Sequence, residues 1–192
     1  RDNCANVCRA KADKEGKYYA NHVYNPFFYE GTKTYIYEVY EQLNRIPENI
    51  FIPLGNGTLF IGIIKALEEF LESNIIDKMP NIIAVQSEYC DPFTKAFKIK
   101  ASKPVKVISK PTMAEGIAIG EPMRGEEILE YIYKYNIEVI NSPETRILES
   151  RELLASKGIY VEHTTAATYA AYMKYCELKG RTPALIPMCG AG

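Results

Sequence analysis

Apolar positions along this chain switch between two spacings, and the sharpest switch lies between residues 51 and 70. An apolar run bounded by Pro47 and Pro53 feeds the polar turn Gly55-Asn56-Gly57-Thr58, after which apolar residues recur at 60, 63, 64, 67, 70 and 71. The second spacing is helical, so the stretch predicts a strand, a glycine turn and a helix in that order. The first N–H groups of a helix have no partner inside it. Such a turn can therefore aim several backbone donors, and the positive end of the helix dipole, at one phosphate. Glycines let the backbone bend into a cradle of this kind and come close to the ligand. An ordinary strand-to-helix turn would carry the same four residues, so the tetrapeptide by itself leaves the choice open.

The rest of the chain continues the alternation. Residues 2–14 predict a helix ending at Gly16, residues 18–23 a short strand, and Asn25-Pro26 a turn. From Thr32 the spacing of Ile36, Val39, Tyr40 and Leu43 is helical, and Pro47 closes the segment. The central strand, turn and helix take residues 49–74, a second buried strand follows at 82–85, and residues 93–98 predict a short helix. Helices at 125–134, 144–156 and 165–178 then alternate with strands at 137–141 and 184–188, and the last helix is rich in alanine, which permits close packing. This order predicts an α/β fold of three layers, a mainly parallel twisted sheet flanked by helices, with residues 1–192 in a single lobe.

In parallel α/β sheets the ligand crevice lies at the carboxyl ends of the strands. Three glycine-bearing turns can converge there: Gly55 to Thr58, Glu115 to Gly120, and Cys189-Gly190-Ala191-Gly192. The middle turn belongs to Thr112–Pro122, which is too polar at Glu115 for plain core and reads as a functional loop. The final turn is also what a frayed terminus looks like.

Composition narrows the function classes. With 192 residues, 47% of them apolar, the chain has enough material for a packed core. Its 23 basic and 24 acidic residues are interspersed, so no electrostatic reason exists to expect nucleic acid or an anionic membrane as partner. Apolar runs are short and interrupted, which argues against a membrane span. The five cysteines have no Cys-x-x-Cys or Cys/His pairing at zinc spacing, so they read as reduced thiols of a cytoplasmic protein without a metal. The first residue is Arg1 rather than Met, and the expectation is a chain processed, truncated or cut from something longer.

A nucleophile is harder to find. Lys33 follows Gly31-Thr32 at a helix start, and Lys103 and Lys110 stand in Ser-Lys-Pro loops, so all three read as solvated lysines rather than reactive amines. His22 and His163 are far apart in sequence, and no serine stands in a nucleophile elbow. On residues alone the chain offers a phosphate cradle without a catalytic nucleophile.

Longer blocks carry a family resemblance. Asn25-Pro26, then Glu30-Gly31-Thr32-Lys33-Thr34 followed by Glu38, resembles a block of threonine synthases, which belong to the fold-type II (tryptophan synthase β-like) pyridoxal-phosphate family. The likeness continues in order through the glycine turn, Gln86, Ala114 to Ile119, Val161 to Ala167 and Pro187 to Gly192. It implies pyridoxal 5′-phosphate as cofactor, with Gly55, Asn56, Gly57 and Thr58 holding its 5′-phosphate and Glu115-Gly116 lying along its ring. Many relatives read Gly-x-Gly-Gly-Thr at the first of these, so one glycine is missing here.

Cys189, with Gly190 beside it, falls where the family sets a hydroxyl or thiol against the pyridine nitrogen. A neutral partner there suits replacement or elimination chemistry better than transamination. The family's Schiff-base lysine belongs to a segment before the first block, so the resemblance implies the C-terminal part of a longer carbon–oxygen lyase, inactive alone. The full enzyme would act on a small amino-acid substrate, O-phosphohomoserine, to give threonine and phosphate, and would form a homodimer. Two alternatives stay open: another fold-type II lyase, such as a threonine or serine dehydratase or a diaminopropionate lyase, or a non-catalytic lobe that completes a site in trans.

Overall fold

A computed structural model describes residues 2–190; Arg1, and Ala191 and Gly192 of the last glycine turn, lie outside the described residues. The elements run α1 (Asp2–Glu15), α2 (Pro26–Leu43), β1 (Asn49–Pro53), α3 (Thr58–Glu72), β2 (Asn81–Ser87), α4 (Pro92–Lys98), α5 (Gly125–Lys134), β3 (Glu138–Ser142), α6 (Ile147–Ala155) and α7 (His163–Lys179). The strands form one parallel sheet in the order β1-β2-β3, with Ile52 beside Ala84 and Ala84 beside Val139. Parallel strands need long crossovers, here supplied by helices, so all three strands end on the same side of the molecule.

Side chains alternate across the sheet, and both faces are covered. Ile50, Ile52, Ile82, Ala84 and Val139 point into the larger core, built with Phe60, Ile63, Ile64 and Leu67 of α3 and Ile128, Leu129 and Ile132 of α5. Phe51, Ile83 and Val85 point the other way, onto Ala171 of α7. The ring of Phe51 meets those of Tyr172 and Tyr175 edge-on, at centroid distances of 5.3 and 5.2 Å. Ala166, Ala167, Ala170 and Ala171 are all fully buried, and their small side chains let α7 lie close to its neighbours. The three-layer α/β architecture expected from the pattern is thus present. No helix among the described residues is long and apolar enough to cross a membrane.

Local chemistry overrides the pattern in four places. Residues 18–23 are not a strand. The Asn21 side chain accepts from the Val23 N–H at 2.9 Å and caps a short 3-10 turn, His22–Tyr24. Asn25-Pro26 opens a helix rather than a turn, because the Asn25 side chain accepts from the Phe27 N–H at 3.0 Å and Pro26 takes the first helical position. The strand expected at 184–188 reduces to one bridge, in which Phe51 N donates to Leu185 O and Leu185 N donates to Asn49 O. Pro183 and Pro187 flank it and have no N–H to extend the pairing.

Lys33 is the fourth case, buried instead of solvated. It is ion-paired to Glu30 and, at 2.5 Å, to Glu69, whose carboxylate also accepts from the Tyr37 hydroxyl. These partners hold the lysine above its ordinary pKa, so it stays charged and cannot act as a free amine.

One buried side chain ties the strand ends to the turn that follows β1. Gln86 is fully buried near the end of β2, and its Oε1 accepts from the N–H groups of Phe93 at 2.9 Å and Thr94 at 3.0 Å, which start α4. Its Nε2 donates to the carbonyl of Leu54, immediately before the glycine turn, at 3.5 Å. Gln86→Ala would leave two buried backbone donors without that acceptor. It is expected to lower the unfolding free energy by about 3 kcal/mol in urea denaturation.

Candidate functional site

Beyond the carboxyl ends of the strands lies a cavity of about 450 Å³ lined by Gly55, Asn56, Gly57, Thr58, Gly116 and Cys189. The structure therefore brings residues of all three glycine-bearing turns into one place. Gly57 caps α3 with a left-handed backbone, φ 78°, and its carbonyl accepts from Ile61 N at 2.8 Å. No side chain caps this helix, so the leading N–H groups keep their donor capacity for a ligand. A Cβ on Gly57 would come within 2.4 Å of Ile128 Cδ1.

The second wall is the Glu115–Ile117 turn. A Cβ on Gly55 would sit 2.8 Å from the Gly116 carbonyl oxygen, so the two turns touch backbone to backbone. A buried carboxylate fixes the approach to this wall: Glu144 accepts from the Thr112 hydroxyl and from Met113 N, both at 2.6 Å. Gly116 N donates to the Thr164 hydroxyl at 3.2 Å. Glu115 itself lines the neighbouring cavity, of about 670 Å³, together with Glu144, Glu162 and His163.

The third wall carries Cys189, whose carbonyl accepts from the Thr165 hydroxyl at 2.7 Å. Burial pushes the Cys189 thiol pKa up, and the negative charge of Glu162 pushes it further in the same direction. The thiol is therefore neutral near pH 7. Gly190 stands behind this wall: its carbonyl accepts from Glu162 N at 3.2 Å, and the Glu162 side chain covers it.

Several lining residues escaped the sequence reading. His22 reaches the cavity through the Asn21-capped turn, its ring 4.9 Å from that of Phe28. Glu162 and Thr164 line it from the start of α7. Both lie in the family-like block Val161 to Ala167, but within it they read only as a polar run opening an apolar helix, which also describes an ordinary helix start.

A phosphorylated, planar cofactor suits this set of groups. The cradle itself presents backbone donors and a hydroxyl without an acid among its four residues, and of the carboxylates lining the cavity Glu121 is paired with Lys106 at 2.6 Å. Among the described residues no lysine lines the cavity, and no cluster of His, Cys, Asp and Glu could hold a metal ion.

Comparison with known proteins agrees with that chemistry. Residues 1–190 match the family profile "Pyridoxal-phosphate dependent enzyme". A threonine synthase from Methanocaldococcus jannaschii is 32% identical over 85% of this chain, and one from Methanosarcina acetivorans is 30% identical over 92%. The matches span 41% and 44% of those proteins, so the chain corresponds to less than half of their length. The processed form of threonine deaminase isoform 2 from Solanum lycopersicum superposes with a TM-score of 0.78 at 21% identity, covering 95% of this chain and 51% of that one. A fungal L-serine ammonia-lyase from Rhizomucor miehei gives 0.71 at 19% identity, covering 88% and 53%. These structural neighbours share the fold-type II architecture.

The charge beside Cys189 can be tested by alkylation. Iodoacetamide labelling of Cys189, followed by peptide mass spectrometry across pH, is expected to show an inflection above that of a free thiol. Glu162→Gln should move it down, since removing a nearby negative charge favours the thiolate. An inflection that does not move would show that Glu162 leaves this thiol untouched.

Proposed function

This chain belongs to the family of pyridoxal-phosphate-dependent enzymes, and we propose that it forms the cofactor-holding part of a threonine synthase. The complete enzyme converts O-phosphohomoserine and water to threonine and phosphate. The uncapped glycine turn at the end of β1 carries the reading, supported by the identity to two threonine synthases. Bound pyridoxal phosphate would supply an electron sink for carbanion chemistry.

This chain's own residues then have separate tasks. Backbone N–H groups of Gly55, Asn56, Gly57 and Thr58 hold the cofactor phosphate, with the dipole of α3 adding favourable potential. The Glu115-Gly116 turn would flank the ring through Gly116, the member of the pair that lines this cavity. Cys189, backed by Gly190, would face the pyridine nitrogen, and its thiol, whose pKa burial and Glu162 raise, would set no charge against it. No lysine of the described residues lines the cavity, and in this reading another part of the complete enzyme supplies the reacting amine.

A second reading has an observation of its own. The thiol at Cys189, together with structural likeness to threonine deaminase, fits a dehydratase acting on threonine or serine. Product analysis with the complete protein separates the two. Threonine and inorganic phosphate from O-phosphohomoserine support the synthase, whereas 2-oxobutanoate from threonine without phosphate release would replace it by the dehydratase.

The cradle has its own test. Gly57→Asp places a carboxylate toward the phosphate, and Gly57→Asn controls for the steric demand at Ile128. The aspartate variant is expected to bind pyridoxal phosphate at least about tenfold more weakly than the asparagine variant. Equal affinities would count against phosphate binding at this turn.

A further inference from the structure

We infer that Thr164 and Thr165, successive residues on the first turn of α7, are positioning residues that fix two walls of the cofactor cavity to one helix. The inference rests on the cofactor reading above and adds what holds the site in shape. Thr165 is 1% exposed and Thr164 8%, so neither hydroxyl serves solvent. Thr165 Oγ1 donates to the Cys189 carbonyl at 2.7 Å, and Thr164 Oγ1 accepts from Gly116 N at 3.2 Å. The two bonds run in opposite senses, so the hydroxyls are not interchangeable.

Their place at the helix start makes this possible. Within a helix a threonine hydroxyl commonly bonds back to the carbonyl four residues earlier, as Thr168 does to Thr164 O at 3.0 Å. At positions 164 and 165 the residues four earlier precede α7 and have no helical carbonyl to offer, so both hydroxyls are free to reach across to loops. The side chain of Thr164 also fills the space beside Gly116, where a Cβ would meet its Oγ1 at 2.5 Å. Glu162 N reinforces the Cys189 wall through its bond to Gly190 O.

The helix is itself a fixed reference. Ser142 at the end of β3 donates to Ala167 O at 2.7 Å, and the edge-on contact of Phe51 with Tyr172 holds α7 against β1. Position is therefore passed from the sheet to α7, from Thr165 to Cys189, and from Thr164 to Gly116 and so to Gly55 in the cradle. Losing the Thr165 hydroxyl frees the Cys189 wall without removing a group that lines the cavity, whereas Thr164 lines the cavity as well as holding Gly116.

The test uses the complete protein and pyridoxal phosphate. Cofactor affinity is read by fluorescence titration, the absorbance of the bound cofactor is followed across pH, and thermal unfolding is recorded without cofactor. Thr165→Val is expected to weaken binding about tenfold and to displace the absorbance–pH midpoint, while Thr165→Ser restores both. Thr164→Val and Thr164→Ser form an independent pair with the same expected affinity pattern, which decides the matter if Thr165→Val does not fold. Wild-type affinity and midpoint in both valine variants would overturn the inference and leave the cofactor reading standing. Valine variants that lower thermal stability alone would overturn it too, by reducing the two threonines to structural roles. Failure of the unsubstituted protein to bind pyridoxal phosphate would overturn the cofactor reading, and the inference with it.

Discussion

The contact between the backbones of Gly55 and Gly116 governs the site. With 2.8 Å between a Cβ position on one and the carbonyl oxygen of the other, any side chain at residue 55 would push the Glu115–Ile117 turn outward. That would widen the cavity and separate the backbone donors of the glycine turn from the wall proposed to lie beside the ring. Much of the surrounding structure serves to hold these two turns in place. Gln86 anchors the first through Leu54, Glu144 anchors the second through Thr112 and Met113, and both depend on parallel strands that deliver their carboxyl ends to one side.

Charge is arranged on the same plan. The cradle offers fixed backbone dipoles, which need no reorganisation to receive an anion, and places no acid among its own four residues. Burial and the charge of Glu162 both raise the pKa of the thiol opposite, which disfavours a thiolate there. Lys33, the buried lysine of this lobe, is locked between Glu30 and Glu69 and serves the packing of α2 on α3. Its full pairing explains why a lysine within a family-like block need not be the reactive one.

What could be read from the sequence follows from how local each signal is. The run from Asn49 to Glu72 is a short continuous apolar segment followed by a helical repeat with strong apolar contrast, so strand, turn and helix were legible, as was α5 at 125–134. The start of α2 was not, since Phe27 and Phe28 are exposed and hide the period, leaving only the Asn25 cap as a sign. The strand expected at 184–188 failed because its two prolines limit pairing to Leu185. In the site, the glycine turn was visible in four adjacent residues, although its proposed role as a phosphate cradle came only with the longer family-like blocks. Thr164 and Thr165 were not visible in this way, because their partners lie 48 and 24 residues away in sequence and only the packing of α7 on the sheet brings them together.

Backbone amide NMR of the ¹⁵N-labelled chain during addition of pyridoxal phosphate addresses the central claim most directly, because the cradle is proposed to act through N–H groups. The largest shifts are expected at Gly55, Asn56, Gly57 and Thr58, with smaller ones at Gly116 and Cys189. Binding that leaves the four cradle amides unmoved while shifting residues elsewhere would contradict the account.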